Sequence, residues 1–423
     1  MKTVMFMLAI ITCLSTAGCS EESFEKDELA AMPGNVILEW NEVAYEAFGG
    51  ETYQHSLMAS RINAMMHLAM HDAVNAVNPQ YSSYCFTGKD SKAHPIAAAT
   101  SAAYTVLVNE LPDRQEFLDS ALHVTLSTIP EGDAKKRGIA LGKAAAMSLL
   151  GIRSNDGSAD DPIVPVNSSD IAGTYQAVPP FDFVFAPNWT DVKPFGLAEK
   201  FQFRSPMYPL LTTTDYSDAY NEVKEMGAVN STIRTTEQTA YMNYWYEFSE
   251  AGWNRVARTV AQDMKLNLVE AARLFALVDM ATADAYIAGW DSKFHYNLWR
   301  PFTAIRKAYM DENERTVEDV QWEPALPTPP VQDYPSTHSA LGNAAATVLS
   351  NILGDNTPFT MSSPTGLPGK KIRSYSSFHQ AADENADSRV MAGIHFRFAC
   401  EAGQQMGNAV GQWLFDNYLQ PIR

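Results

Sequence analysis

Cysteine, positive charge, long apolar runs and strand-like alternation are all scarce in these 423 residues, and each scarcity removes a class of answer. Two of the four cysteines, Cys13 and Cys19, fall in an apolar leader. The other two, Cys85 and Cys400, are too few for a zinc centre, and their spacing does not place them within bridging reach. Lys and Arg number 31 against 49 Asp and Glu, a formal net charge of −18. Such a field repels polyanions, which argues against nucleic acid or an anionic membrane surface as partner. It also makes any local cluster of cations informative. Beyond the leader no apolar run reaches the ~18 residues of a membrane-crossing helix, so no transmembrane span is expected. Period-two alternation is rare, and there is no fixed-period repeat or low-complexity tract.

What is present begins with an export pattern. Lys2 supplies the positive start, residues 4–14 are apolar but short, and Ser15, Thr16, Ala17 and Gly18 lead to Cys19. The arrangement resembles a bacterial lipobox, with Thr16 where such motifs usually carry Leu. Residues 1–18 are therefore expected to be a lipoprotein-type signal peptide. Cys19 would carry the lipid anchor and 19–39 would be a tether. The protein would be an exported cell-envelope lipoprotein, or secreted.

Helical periodicity dominates the rest. Leu57, Ile62, Met66, Met70 and Val74 mark one helix over 51–77, ended by Asn78-Pro79. Segments 95–110, 113–129 and 132–150 follow, which suggests an antiparallel N-terminal bundle over 40–152. From 153 to 233 Gly, Pro, Asp and aromatic residues take over. So long a stretch without periodicity is either a packed cover or a linker, and Tyr175, Phe181, Phe183, Phe185, Trp189 and Phe195 favour packing. Helical pattern returns over 234–423, at 253–266, 267–290, 300–310, 336–353 and 385–418. Asn267, with Glu270 three residues on, forms a capping pair. The expected fold class is all-α, two helical bundles joined by a long irregular aromatic-rich segment.

Three short pieces in the last third carry chemistry: Lys293 to Arg300-Pro301, Pro335-Ser336-Thr337-His338, and Ser388-Arg389 with His395. Lys293 and Arg300, seven apart, would project from one side of a helix. Ser336 opens an alanine-rich helix as its N-cap, and a helix start offers free amides and a positive dipole end to an anion. Arg389 adds a planar fork for two oxygens of an oxyanion. His338 and His395 supply groups that titrate near neutrality, suited to ligation, nucleophilic attack or proton transfer. Arg389 and His395 are six apart, so a regular helix would set them on different sides. Taken singly, each piece is an ordinary surface cation, cap or core histidine.

Together and in this order they resemble the signature shared by type 2 phosphatidic acid phosphatases, bacterial acid phosphatases and vanadium-dependent haloperoxidases. The resemblance to the haloperoxidase branch extends over most of 40–418, including the run Met70 to Ala76, the Trp253-Asn254 helix and Ala283 to Trp290. It implies one vanadate, with phosphate able to occupy the same site. Lys293, Arg300 and Arg389 would neutralise its equatorial oxygens. Ser336 and the amide of Thr337 would add hydrogen bonds, His395 would bind vanadium axially, and His338 would act as acid/base. Hydrogen peroxide would then oxidise halide, iodide or bromide, to a hypohalous acid equivalent, with a small organic molecule as acceptor. Lys293 would polarise the peroxide. Trp290 would line the halide side, and Val331 stands where family members vary with halide choice.

Two positions depart from the pattern. Thr337 replaces a glycine, which the site tolerates only if the backbone there avoids positive φ. Ala399 stands where the phosphatases carry an aspartate that orients the nucleophilic histidine, which favours His395 as a metal ligand. The alternative reading is an acid phosphatase or phosphoesterase with a phosphohistidine intermediate at His395. A third is a non-catalytic oxyanion-binding lipoprotein, for which two intact histidines would be superfluous. Elsewhere, His67 and His71 have a metal-like spacing but apolar surroundings, which makes them core residues. The acidic stretch 311–318 lacks the central glycine of a calcium loop and reads as a solvated turn.

Overall fold

The computed structural model describes residues 23–166 and 169–422, so the expected signal peptide and Cys19 lie outside the described residues. The first helices are α1 (Lys26–Ala31) and α2 (Asn35–Phe48), then α3 (Ser56–Asn75), α4 (Pro95–Glu110), α5 (Gln115–Ser127) and α6 (Asp133–Arg153). A two-stranded hairpin, β1 (Ile163–Pro165) and β2 (Phe183–Phe185), precedes α7 (Thr214–Met226), α8 (Thr236–Tyr244) and α9 (Ser249–Asp263). Then come α10 (Leu268–Tyr296), α11 (Pro301–Arg306) and α12 (Thr337–Leu353). A second hairpin, β3 (Phe359–Ser362) with β4 (Ile372–Tyr375), leads to α13 (Phe378–Met391) and α14 (Arg397–Asn417). The protein is all-α apart from these short hairpins.

Helix α10 runs through the centre. Apart from Glu270 and Arg273 it is buried from Leu268 to Lys293, and it is largely apolar, as expected of a helix surrounded by others. It packs on α3 in one direction and on α12 and α14 in the other. Asn267 caps it, accepting from the amides of Val269 and Glu270 at 3.0 Å, while the Glu270 carboxylate accepts from the Asn267 amide. Helices α12 and α14 meet along Gly403, Gly407 and Gly411. A Cβ at Gly403 or Gly407 would lie 2.2 or 2.1 Å from the carbonyl oxygen of Ser336 or Ala340. This near contact of backbones fixes the start of α12.

Several expectations need correction. Much of the tether expected over 19–39 is folded: α1 and the start of α2 lie there, and Leu29 and Ile37 are fully buried. Residues 153–233 are not irregular throughout, since α7 lies inside them. The helix expected at 300–310 breaks after Arg306, and that at 385–418 breaks between Met391 and Arg397. The acidic stretch is a turn with Glu312, Glu314 and Glu318 exposed, but it is pinned by buried Asp311, whose carboxylate accepts from Thr316 Oγ1 at 2.8 and 2.9 Å.

The aromatic segment is a packed cover. Tyr175, Trp189 and Phe195 are buried. Asp284 of α10 accepts the amides of Phe195, Gly196 and Leu197 at 2.6, 2.7 and 2.9 Å. Arg153 stacks 3.8 Å from the Phe195 ring centroid. In the N-terminal bundle His67 and His71 are core residues, facing Asp279 at 2.6 Å and Asp72 at 3.1 Å. Cys85 and Cys400 are both free thiols.

Candidate active site

Lys293 and Arg300 do not share one helix face. Helix α10 stops at Tyr296, where Asn297 turns left-handed at φ 50°, and Arg300 is the N-cap of α11. The turn carries Arg300 back toward Lys293. Both approach the strip 331–333: Lys293 Nζ donates to the Gln332 and Asp333 carbonyls at 2.7 and 2.9 Å, and Arg300 Nε to the Val331 carbonyl at 2.6 Å.

Ser336 caps α12, accepting the Ser339 amide at 3.4 Å and the Ser339 hydroxyl at 3.1 Å. The first amides of α12 have no intrahelical acceptor, as at any helix start. Thr337 lies in the helix, outside the positive-φ positions, so threonine suits the backbone there. Its side chain is housed by Gly289 of α10, where a Cβ would sit 2.4 Å from Thr337 Cγ2.

The six-residue gap between Arg389 and His395 is closed by a break rather than by a long stem. Arg389 is in the last turn of α13, Gly393 turns at φ 78°, and His395 lies in the connection before α14. A residue with a Cβ would strain that turn and also meet the Gly227 carbonyl oxygen at 2.4 Å.

The result is a buried cluster. Lys293, Arg300 and Arg389 are at most 1% exposed and His395 is 3% exposed, so solvent cannot screen them. Burial, then Arg300, drives the Lys293 pKa well down, and burial lowers Arg389 to about 10. Arg300 Nη1 donates to the Ile394 carbonyl at 2.7 Å and stands 3.0 Å from His395 Nε2. Arg389 Nε reaches Ser388 Oγ at 3.2 Å, but its Nη2 is buried with no partner. His338 Nε2 lies 3.0 Å from the Glu247 carbonyl, which can only accept, so Nδ1 is the bare nitrogen. Both histidines are held neutral, first by burial and then by neighbouring arginines.

The sequence reading missed Asp333. This fully buried carboxylate lies 2.9 Å from His395 Nδ1 and 3.7 Å from Arg300 Nη1. Burial raises its pKa to about 7, with Arg300 and Lys293 pulling the other way. It draws the imidazole proton to Nδ1 and leaves the Nε2 lone pair unprotonated, with Arg300 Nη1 facing it at 3.0 Å. The orienting aspartate absent at Ala399 is thus supplied from three residues before Ser336, so Ala399 no longer argues against phosphatase chemistry. A carboxylate beside the Pro-Ser-Thr-His motif was the available signal.

Arg300, Thr337, His338, Arg389 and His395 open onto one cavity of about 600 Å³, whose wall also includes Trp290 and Val331. Trp290 Nε1 donates to the Phe185 carbonyl at 3.3 Å. Three buried cations, a helix start and a neutral imidazole, against one carboxylate, form a receptor for a multiply charged oxyanion. The unpartnered Arg389 Nη2 and the first amides of α12 are donors awaiting its oxygens. Vanadate fits this donor set, and His395 Nε2, 3.0 Å from Arg300 Nη1, carries the lone pair that could ligate it.

The comparisons agree with this geometry. Residues 273–423 match the family model described as the VCPO second helical-bundle domain. A vanadium chloroperoxidase from Curvularia inaequalis is 29% identical over 258 residues, which are 46% of this chain and 42% of that protein's length. The structure of the first bacterial vanadium-dependent iodoperoxidase superposes with a TM-score of 0.79 at 26% identity, covering 93% of this chain and 99% of that one. A holo-type bacterial vanadium-dependent chloroperoxidase, 17% identical, shares the fold at a TM-score of 0.68 over 94% of each chain. Motif order, site geometry and these likenesses converge on the vanadium haloperoxidase family.

Proposed function

We propose that this protein is a vanadate-dependent haloperoxidase that uses hydrogen peroxide to oxidise iodide or bromide to a hypohalous acid equivalent. The carrying observation is the buried cation cluster with its unpartnered Arg389 Nη2, which shares one cavity with the His395 imidazole whose Nδ1 faces Asp333. Bound vanadate supplies a Lewis-acidic centre at which peroxide becomes electrophilic toward halide. The chain does the rest. Lys293, Arg300 and Arg389 would hold the vanadate oxygens, while Ser336 and the Thr337 amide would donate to them. His395 would ligate the vanadium through Nε2, with Asp333 fixing its ring. His338 Nδ1 accepts and returns the proton when peroxide enters, since Glu247 occupies Nε2. Trp290 and Val331 line the halide's approach. Likeness to an iodoperoxidase over 93% of the chain supports iodide. The leader through Cys19 fits export and lipid anchoring at the cell envelope.

The Asp333–His395 contact favours a second reading, phosphate-ester hydrolysis through a phosphohistidine at His395, with His338 protonating the leaving group. One paired assay decides. Vanadate-loaded protein given peroxide and iodide should form triiodide, and bromide should brominate a phenolic dye. Hydrolysis of an aryl phosphate only, inhibited by vanadate, would overturn the peroxidase reading.

A further inference from the structure

The volume above the cation cluster exceeds what a halide and peroxide require, and its lining is chemically one-sided. At about 600 Å³ the cavity falls in the range that encloses a small organic ligand. Phe181, Phe183 and Phe185 form one wall and Tyr246, Phe248 and Trp290 stand among the rest. The first wall is built in place. Strand β2 is latched at Phe185, whose amide donates to the Pro330 carbonyl at 2.7 Å and whose carbonyl accepts Trp290 Nε1 at 3.3 Å. Phe181 and Phe183 meet edge to face, their centroids 5.4 Å apart. Charge is distributed just as unevenly. The lining arginines are Arg300 and Arg389, both committed to the oxyanion, and the lining carboxylates are Glu51 and Glu247. Arg255 pairs with Glu247 at 2.6 and 2.8 Å, and the aromatic wall carries no cation to hold an anionic guest.

We propose that this cavity binds a neutral aromatic acceptor, of the size of a phenol or naphthol, and holds it over the oxyanion site for halogenation before the oxidised halogen escapes. The proposal rests on the haloperoxidase reading. Ring, halide, hydrogen peroxide and one proton give aryl halide and two waters. Peroxide takes two electrons from the halide, the ring's carbon–hydrogen bond gives way to carbon–halogen, and the ring proton leaves in water. Flat rings suit the site because edge-to-face and stacked contacts with Phe181, Phe183 and Trp290 add to simple area burial.

The test separates binding from turnover. Vanadate-loaded protein, without peroxide, is titrated calorimetrically with 2-naphthol, cyclohexanol and naphthalene-2-sulfonate. The expected result is saturable 2-naphthol binding, with the aliphatic and anionic probes at least about tenfold weaker. The double variant Phe181→Ala/Phe183→Ala should bind 2-naphthol about tenfold more weakly. It should still form triiodide from iodide and peroxide at the parent rate. Absence of saturable binding, equal affinity of parent and variant, or parallel loss of triiodide formation in the variant would overturn the proposal. Triiodide formation without naphthol binding would sink this inference alone. Naphthol binding without triiodide formation would sink the halide-oxidation reading and leave the cavity site standing.

Discussion

Buried charge is treated in two opposite ways in this molecule. Asp72 and Asp284 each sit in the core and each collect three backbone amides. Those of Tyr84, Cys85 and Phe86 reach Asp72 at 2.7, 2.8 and 2.8 Å, and those of Phe195, Gly196 and Leu197 reach Asp284. Their charge is answered by the chain itself and spent on holding loops against helices. At the oxyanion site Lys293, Arg300 and Arg389 are equally buried but face a single carboxylate, Asp333, and one guanidinium nitrogen has no partner. Crowding like charges out of water costs free energy that no contact within the chain repays. The difference separates architecture from function: answered charges keep shape, and unanswered ones wait for a ligand.

The sharpest attack on that contrast removes a residue from the open site. His395→Ala should cut halide oxidation by at least about a thousandfold, because it deletes the ligand nitrogen and no core packing. Circular dichroism and the urea midpoint should stay near the parent's. A large loss of stability would mean that His395 is architecture after all. The converse experiment targets Asp284. Asp284→Ala strands three buried amides and should cost about 3–5 kcal/mol in urea unfolding, while Asp284→Asn keeps an acceptor and costs less. A loss below about 1 kcal/mol would show that water replaces the carboxylate easily.

Ligand addition probes the same asymmetry from the other side. Vanadate or phosphate at a hundred times its dissociation constant should stabilise the protein by roughly 2.7 kcal/mol, seen as a rise in melting temperature. Arg389→Ala should shrink that rise, since it removes the unpartnered fork. An unchanged melting temperature at saturating vanadate would break the comparison.

Glu250 sharpens the answered class by pH. It is buried beside Tyr53 and Tyr286, whose hydroxyls donate at 2.5 and 3.0 Å. Burial outweighs them and raises its pKa from 4.5 to about 7. The folded protein therefore binds this proton more tightly than the unfolded chain. The stability it contributes is complete below the unfolded value and lost as pH rises through about 7. Glu250→Gln cannot ionise, so it should remove roughly 2 kcal/mol of the stability lost between about pH 5 and 8. Parallel pH–stability curves for parent and variant would contradict this assignment.

Much of this was readable before any coordinates. The all-α class followed from periodicity, and the residues of the open site from three motifs, because cations in an acidic chain and a Ser-capped helix are local features. What escaped was long-range. The Gly393 break that brings Arg389 to His395, and the arrival of Asp333 at His395 Nδ1, depend on how segments cross, which spacing along one helix cannot express. The folding of α1 and α2 within the expected tether was missed for the same reason: Leu29 and Ile37 find their apolar partners elsewhere in the chain.

Thr337 offers the finest test, because its fit depends on one absent methyl. A glycine inside a helix costs about 1 kcal/mol relative to alanine, so Gly289 in the middle of α10 needs a reason. Thr337 Cγ2 fills the place where its Cβ would be, 2.4 Å away. Gly289→Ala should improve α10 as an isolated helix yet push the start of α12 outward, shifting the amides and the Ser336 hydroxyl that face the oxyanion. Displacements of a fraction of an ångström at such donors cost about tenfold in kcat/KM for triiodide formation. Adding Thr337→Gly removes the obstructing methyl, and the double variant should return to within about twofold of the parent. If Gly289→Ala is harmless, α12 is not clamped as tightly as its contact with α14 indicates. If Thr337→Gly fails to rescue it, the glycine serves the packing of α10 rather than the oxyanion site.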